Sequence, residues 1–440
     1  MKKFRIFNLI FILILSFILN ACLTPEDQNQ WPPSKVVLKK HQGKYSLYVN
    51  EKPFYIKGAG LEFGNMESLA RHGGNAFRTW RVENGKISGK QVLDEAQKYG
   101  LMVCMGLEVA RERHGFDYND EAAVKKQFEQ IKKDVLKLKD HPALLMWGIG
   151  NELNLRSKNP KVWDAVNEIA EMIHEIDGNH PTTTMLAGAG KNEIEMISER
   201  CPAIDLISFQ LYGKIINLPH YIEEAGYKGA YIVSEWGATG HWEVPKTAWE
   251  RPIEQNSHVK ANAYFERYNK VIASDSSQCI GSFVFLWGQK QERTPTWYGM
   301  FLENGDRTEA IDIMQYLWTK NWPENRVPAM QSMTIEGKTA YDNIKLASGQ
   351  LYNASSMALD PENDKLQYSW VIMKEVADSL KSDGGDFEPT PETVMNMNGD
   401  HISNEITFKA PEEGEYRLFV YVNDGNGNSA TANIPFLVNN

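Results

Sequence analysis

One stretch, Ala143-Leu144-Leu145-Met146-Trp147-Gly148-Ile149-Gly150-Asn151-Glu152, narrows the choice of fold more than any other. Its apolar run lacks the alternation of a half-exposed strand. It must therefore be covered on both faces, as in a parallel sheet flanked by helices. The run ends in Asn151 and Glu152, two polar residues where the strand leaves the core. Ala230-Tyr231-Ile232-Val233-Ser234-Glu235-Trp236-Gly237 repeats the pattern and closes on Glu235. Two carboxylates at the ends of two buried strands imply one shared site, provided both strands line one barrel.

The rest of the chain supplies that barrel. Strand-like runs at Phe54–Gly58, Ala76–Arg81, Leu101–Leu107, Thr182–Leu186, Leu206–Tyr212 and Ile280–Trp287 join the two above, and helical patterns separate them. The segment after the third strand places Val124, Phe128, Ile131, Val135 and Leu138 on one helix face. Eight strand-helix units over roughly 260 residues are what a (β/α)8 TIM barrel requires. The competing open doubly wound sheet would carry a Gly-rich phosphate loop after its first strand, and no G-x-G-x-x-G follows. Upstream, Val36-Val37-Leu38 and Tyr45 to Val49 flank His41-Gln42-Gly43-Lys44, a hairpin suited to plug the barrel floor. Beyond Asn321 to Pro328 the helical period disappears. Short strands at Leu366–Met373, Glu405–Phe408, Tyr416–Val422 and Ala432–Val438, with Trp370 turned inward, predict an immunoglobulin-like sandwich. The expected class is thus α/β, a TIM barrel with a C-terminal all-β immunoglobulin-like domain. The expected divisions are a leader at 1–21, a tether at 22–35, the barrel with its hairpin at 36–322, a linker at 323–329 and the sandwich at 330–440.

A net charge of −10 and the lack of a basic block beyond the first five residues exclude nucleic acid as a partner. Those first residues have another meaning. Lys2, Lys3 and Arg5 precede an apolar run from Ile6 to Ile18, too short to span a bilayer, and Leu19-Asn20-Ala21-Cys22 resembles a bacterial lipobox. Cys22 is then the lipidated residue of a cell-envelope lipoprotein, held at the outer membrane and exposed on the cell surface. The other cysteines, Cys104, Cys201 and Cys279, have scattered spacings that suit neither zinc nor a disulfide framework. The Asp-rich turns Asp360 to Asp364 and Asn423 to Asn428 lack the ligand spacing of an EF-hand and read as turns.

In an eight-fold barrel, chemistry sits at the C-terminal ends of the strands. Glu152 and Glu235 both sit there. Cleavage of a glycosidic bond uses two carboxyl groups, one to protonate the leaving oxygen and one to attack the anomeric carbon or activate water. The residues alone do not say which carboxyl does which. Asn151-Glu152 after the fourth strand, with Ser234-Glu235-Trp236-Gly237 on the seventh, resembles glycoside hydrolase clan A, the retaining β-glycosidases. That resemblance implies Glu152 as acid/base and Glu235 as nucleophile, at the 5–5.5 Å carboxyl spacing of a retaining enzyme. It further implies Arg78 bonded to the nucleophile, Asn151 on the sugar 2-hydroxyl, Tyr212 orienting the nucleophile and Trp287 as floor of the cleaved sugar's subsite. Arg81 is the alternative to Arg78, because residues three apart on a strand face opposite ways.

Within the clan, the chain is most similar to glycoside hydrolase family 158, which implies cleavage of β-1,3-glucan such as laminarin. Flat rings suit sugar binding, and Trp80, Trp236, Trp242, Trp249, Trp297 and Tyr298 lie in or near rim loops. His241, Trp242 and Trp297 are the best placed of these rim groups. The expected protein is a monomeric, lipid-anchored retaining endo-β-1,3-glucanase acting on a polysaccharide without cofactor or metal. The alternatives are a β-mannanase or β-1,4-glucanase, a transglycosylase, or a non-catalytic surface glycan-binding lipoprotein. The anchor has a direct test. Cys22→Ser should move the protein from the membrane to the soluble fraction, and unchanged fractionation would exclude lipidation there.

Overall fold

The computed structural model describes residues 32–61, 64–83, 85–377, 387–397 and 403–439. The expected leader, Cys22 and the first part of the tether lie outside the described residues. Eight parallel strands close into a barrel: β4 (Ile56–Gly60), β5 (Ala76–Arg78), β6 (Met102–Leu107), β7 (Leu144–Asn151), β8 (Thr182–Ala187), β9 (Leu206–Gln210), β10 (Tyr231–Glu235) and β11 (Cys279–Val284). They neighbour one another in sequence order, and β11 closes onto β4. Every residue of β7 is buried, which is why that strand shows no alternation in the sequence.

Helices cover the outside. The longest, α3 (Glu121–Leu138), follows an Asp120 cap whose side chain accepts from the N–H groups of Ala122 and Ala123. Earlier in the chain, α2 (Gly89–Lys98) starts in a capping box between Ser88 and Gln91. The first barrel strand starts two residues later than the sequence suggests. Lys52–Phe54 instead forms β3, which joins β1 (Val36–His41) and β2 (Lys44–Val49) in a separate antiparallel sheet. That sheet closes the barrel floor. Val36 and Leu47 share a buried cluster with Ile56, Ala76, Leu145, Ile232 and Phe283, and the N–H of Val36 donates to Asn179 just ahead of β8.

The C-terminal region stacks two sheets. Their long strands are β14 (Leu351–Leu359), β15 (Gln367–Lys374), β18 (Gly414–Asn423) and β19 (Ser429–Asn439), and the shorter ones are β12 (Ala329–Ile335), β13 (Lys345–Ala347), β16 (Thr393–Met397) and β17 (Glu405–Lys409). One sheet is ordered β12-β14-β17 and the other β13-β19-β18-β15-β16. Trp370 is fully buried between the sheets with Phe408, Leu418 and Phe436, and its indole N–H donates to Ser403 O at 3.1 Å. The sandwich meets the barrel through polar groups. Arg417, 1% exposed, reaches across to Pro252 O at 2.6 Å and is held on its own side by Glu375 and Asn433.

Gly106 sets how the mouth of the barrel forms on the β5–β6 side. A Cβ there would stand 2.4 Å from Thr79 O and 2.7 Å from the carbonyl carbon of Trp80, both backbone atoms. This close approach lets the chain leaving β5 fold over β6 and carry Trp80 to the rim. Gly106→Ala should therefore cost about 1–3 kcal/mol, read as a lower urea midpoint at unchanged slope. A midpoint equal to that of the natural chain would show that this backbone can yield.

Candidate active site

Glu152 and Glu235 meet at the mouth formed by the strand ends. Each follows a break in strand register, between Gly148 and Asn151 on β7 and between Val233 and Glu235 on β10. Such an irregularity re-aims the side chains that follow it. On β7 the turn continues through Gly150 at φ 73° and Glu152 at φ 52°, with the Glu152 N–H donating to Met185 O at 2.9 Å. A left-handed glutamate is an uncommon conformation, held here by its surroundings. The Arg113 guanidinium donates to Glu152 O at 2.7 Å and the Arg111 Nε to Asn151 O at 3.2 Å, so two arginines clamp this turn from β6's loop.

The two carboxyls have opposite environments. Glu235 Oε1 accepts from Trp80 Nε1 at 2.9 Å and Gln210 Nε2 at 3.1 Å, and Oε2 accepts from the Tyr212 hydroxyl at 3.0 Å. Arg78 Nη1 stands 3.2 Å from Oε1. All four partners are donors, and an ionised carboxylate, an acceptor only, satisfies them together. Glu152 faces the Arg113 guanidinium at 3.9 Å from Oε2, at the edge of ion-pair range. Burial, then the neighbouring Glu235 charge, push its carboxyl up to about 7 against the pull of Arg113, Arg111 and Arg78. The Tyr212 phenol is likewise driven well above its ordinary range, by burial first and Glu235 second, and so keeps its proton.

Asn151 belongs to the same network. Its Oδ1 accepts from Arg78 Nη2 at 2.6 Å and Gln210 Nε2 at 2.7 Å, which leaves the amide N–H₂ as the group it can offer a ligand. The choice between the two arginines is settled by burial, with Arg78 fully enclosed and stacked on Trp80 at 4.6 Å while Arg81 is exposed. At the rim, Trp242 is 56% exposed and sets its ring edge-on to Tyr212 at 5.6 Å. His241 backs it, half-buried, with its ring 4.8 Å from Trp242 and bonded to the Tyr298 hydroxyl.

Two expected ligand groups are corrected. Trp287 has no exposure. It stacks on Trp318 at 5.7 Å and packs against Phe301 and His72, because the chain has already turned outward past the end of β11. Phe285 takes the rim place instead, edge-on to Trp80 and Tyr212 at 5.9 Å each. Trp297 is 2% exposed, donates its indole N–H to Thr239 O and lies beneath His241, so it supports the rim from below. Trp236 is likewise core, buried against Tyr264 and Tyr268. Sequence reasoning overlooked Gln210, Arg111, Arg113 and Phe285. Gln210 was within reach, since strand alternation puts it on the same side as Tyr212. So was Phe285, two residues before Trp287 on the run read as the last strand, whereas Arg111 and Arg113 sit on a loop with no periodicity to read.

Comparison with known proteins bears on the barrel that carries these residues. Residues 41–240 match the model of glycosyl hydrolases family 2, TIM barrel domain. Over those residues the barrel is similar to the barrel of family 2 glycoside hydrolases. Among solved structures, the chain resembles a β-glucuronidase of Bifidobacterium dentium complexed with coumarin-3-O-glucuronide, at 15% identity and a TM-score of 0.51, over 65% of this chain and 49% of that one. It also resembles an FMN-binding β-glucuronidase of Facaelibacterium prausnitzii L2-6, at 14% identity and a TM-score of 0.50, over 92% of this chain and 59% of that one. At such identities the likeness is one of fold. The chain spans about half the length of the β-glucuronidase structures it resembles, with 48% of a Bacteroides uniformis β-glucuronidase 2 mutant covered.

The electrostatics make a prediction that needs no substrate. In Glu235→Gln the neighbouring negative charge is gone, so the Glu152 carboxyl should titrate below its value of about 7 in the natural protein. Carbon-13 titration of labelled glutamates would follow it. An unmoved titration would mean that Glu235 does not act on Glu152.

Proposed function

We propose that this protein is a retaining endo-β-glycoside hydrolase, and that its substrate is a β-1,3-glucan of the laminarin type. The observation that carries the reading is the pairing at one barrel mouth of a carboxyl pushed up to about 7 with a second carboxylate held by four donors. Those are the states a general acid and a nucleophile need before the reaction starts.

In the first step Glu152 gives its proton to the glycosidic oxygen as Glu235 attacks the anomeric carbon. The glycosidic bond breaks, the leaving sugar departs as an alcohol and a glycosyl ester forms on Glu235. In the second step Glu152, now ionised, takes a proton from water. The hydroxide attacks the same carbon and frees Glu235. Two inversions give net retention. Arg78 and Tyr212 hold the nucleophile in place, and the Asn151 amide is positioned to donate to a hydroxyl beside the anomeric centre. Trp242 offers an exposed ring on which a further sugar of a chain can lie, which favours an extended substrate over a single terminal residue.

The family 2 barrel match and the β-glucuronidase folds support β-glycoside chemistry. The β-1,3 linkage rests on the similarity to family 158. In this reading the lipid on Cys22 attaches the enzyme to the cell envelope, where polysaccharide is met.

A panel of laminarin, mixed-linkage glucan, cellulose and β-mannan, with products sized by chromatography, tests substrate and mode together. Laminarin should yield a ladder of oligosaccharides with the β-anomer formed first by NMR. Release of the α-anomer would refute retention, and preference for mannan would refute the linkage. The ratio kcat/KM should fall about tenfold per pH unit above about pH 7, as the acid loses its proton, and Glu235→Gln should lower kcat by at least about 10³-fold.

A further inference from the structure

Next to the mouth runs the loop from Gln289 to Thr296, which follows β11. Its residues reach the sugar-binding rim by direct contacts. Glu292, 6% exposed, pairs with Lys290 at 2.5 Å and stands 3.7 Å from His241. The Lys290 ammonium lies 5.6 Å above the Phe285 ring. Trp242 rests against His241, and Glu243 ties the same turn to the one carrying Tyr212, by accepting from the N–H groups of Gly213, Lys214 and Gly240.

The sandwich domain holds this loop at two points. Glu388, its side chain fully enclosed, accepts from the Arg293 N–H at 2.7 Å and stands 3.6 Å from the Arg293 guanidinium. Arg293 is at φ 62°, in a tight turn where Glu292 and Thr294 exchange backbone hydrogen bonds. A non-glycine residue in that region needs support from its surroundings, and Glu388 supplies it from another domain. The second point is Asn433, which donates to Glu254 Oε2 at 2.6 Å, while Glu254 accepts from the Thr294 and Thr296 hydroxyls at 2.5 and 2.8 Å.

We infer that the C-terminal sandwich is a positioning element of the sugar-binding rim, with Glu388 setting the Arg293 turn and, through Glu292, the place of His241 and Trp242. The inference rests on the glycosidase reading above for its consequence, binding of an extended glycan, but its geometric part does not. A chain of contacts runs from Glu388 to Arg293, Glu292, His241 and Trp242, and none of these steps passes through Glu152 or Glu235. The sandwich thus acts on how long substrates are held and leaves the bond-breaking groups alone.

Two variants and two readouts test this. Hydrogen exchange without glycan should show the amides of Gly240, His241 and Glu243 exchanging at least about tenfold faster in Glu388→Ala. Amides of β7 and β10 should be unchanged. On laminarin, KM should rise about three- to tenfold with kcat within about twofold. Glu388→Gln, which keeps an acceptor for the Arg293 N–H, should restore most of both. Asn433→Ala should move the same amides if Glu388→Ala folds poorly. Unchanged exchange at residues 240–243 in both variants would overturn the inference, as would a fall in kcat with KM unmoved. An unmodified protein inactive on the whole polysaccharide panel would instead remove the glycosidase reading, and the exchange result alone would then decide the sandwich's role.

Discussion

A guanidinium sealed from solvent, that of Arg78, is the interaction on which the mouth of this barrel depends. Glu235 is buried and Glu152 largely shielded within reach of its field, and two such carboxyls cannot both be charged cheaply. Arg78 resolves the conflict unevenly. It pairs with Glu235 and reaches past it to the Asn151 side-chain oxygen Oδ1, so one carboxyl is served as an anion while the other is left to hold its proton. Removing one member of a buried pair typically costs about 3–5 kcal/mol, because the partner charge is stranded. The asymmetry is therefore built into the fold before any ligand arrives, and Trp80 underlies it by stacking on Arg78 while donating to Glu235.

Legibility followed burial and period. The barrel could be read because β7 and β10 are short apolar runs and because helices such as α3 carry one apolar stripe. The two glutamates could be read because strand ends are where a barrel exposes chemistry. The sandwich was read in part. Trp370 and the later strands stood out, whereas β14 was missed, since Asn353, Ser355 and Ser356 make it a poor strand by composition and it gains its place from pairing on both sides. The rim was the least legible part. Trp287 and Trp242 look alike in sequence, yet one is sealed against Trp318 and the other stands in solvent. What separates them is the direction of the chain past β11 and the turn after Gly240, and no local pattern encodes either.

The two domains are linked by charge more than by grease. Arg417, Asn433, Glu254 and Lys260 form a buried polar seam, with Lys260 bonded to Glu254 and to Thr296 O. Directional contacts of this kind fix one relative orientation and penalise others. A hydrophobic interface of similar extent would tolerate sliding. This one does not, so a loop shared by both domains can be placed to within a hydrogen bond.

The floor sheet has a geometric outcome of its own. Val36 enters the molecule at the end of the barrel opposite the carboxylates, pinned to Asn179 and Lys35 to Asn50. The proposed acyl chain on Cys22 lies fourteen residues upstream, a contour of at most about 50 Å. On that proposal the lipid joins the protein at the base of the barrel, opposite the mouth that carries Glu152 and Glu235. Such a tether would leave the mouth at the free end of the molecule, so a ligand could reach it without passing between the protein and the membrane.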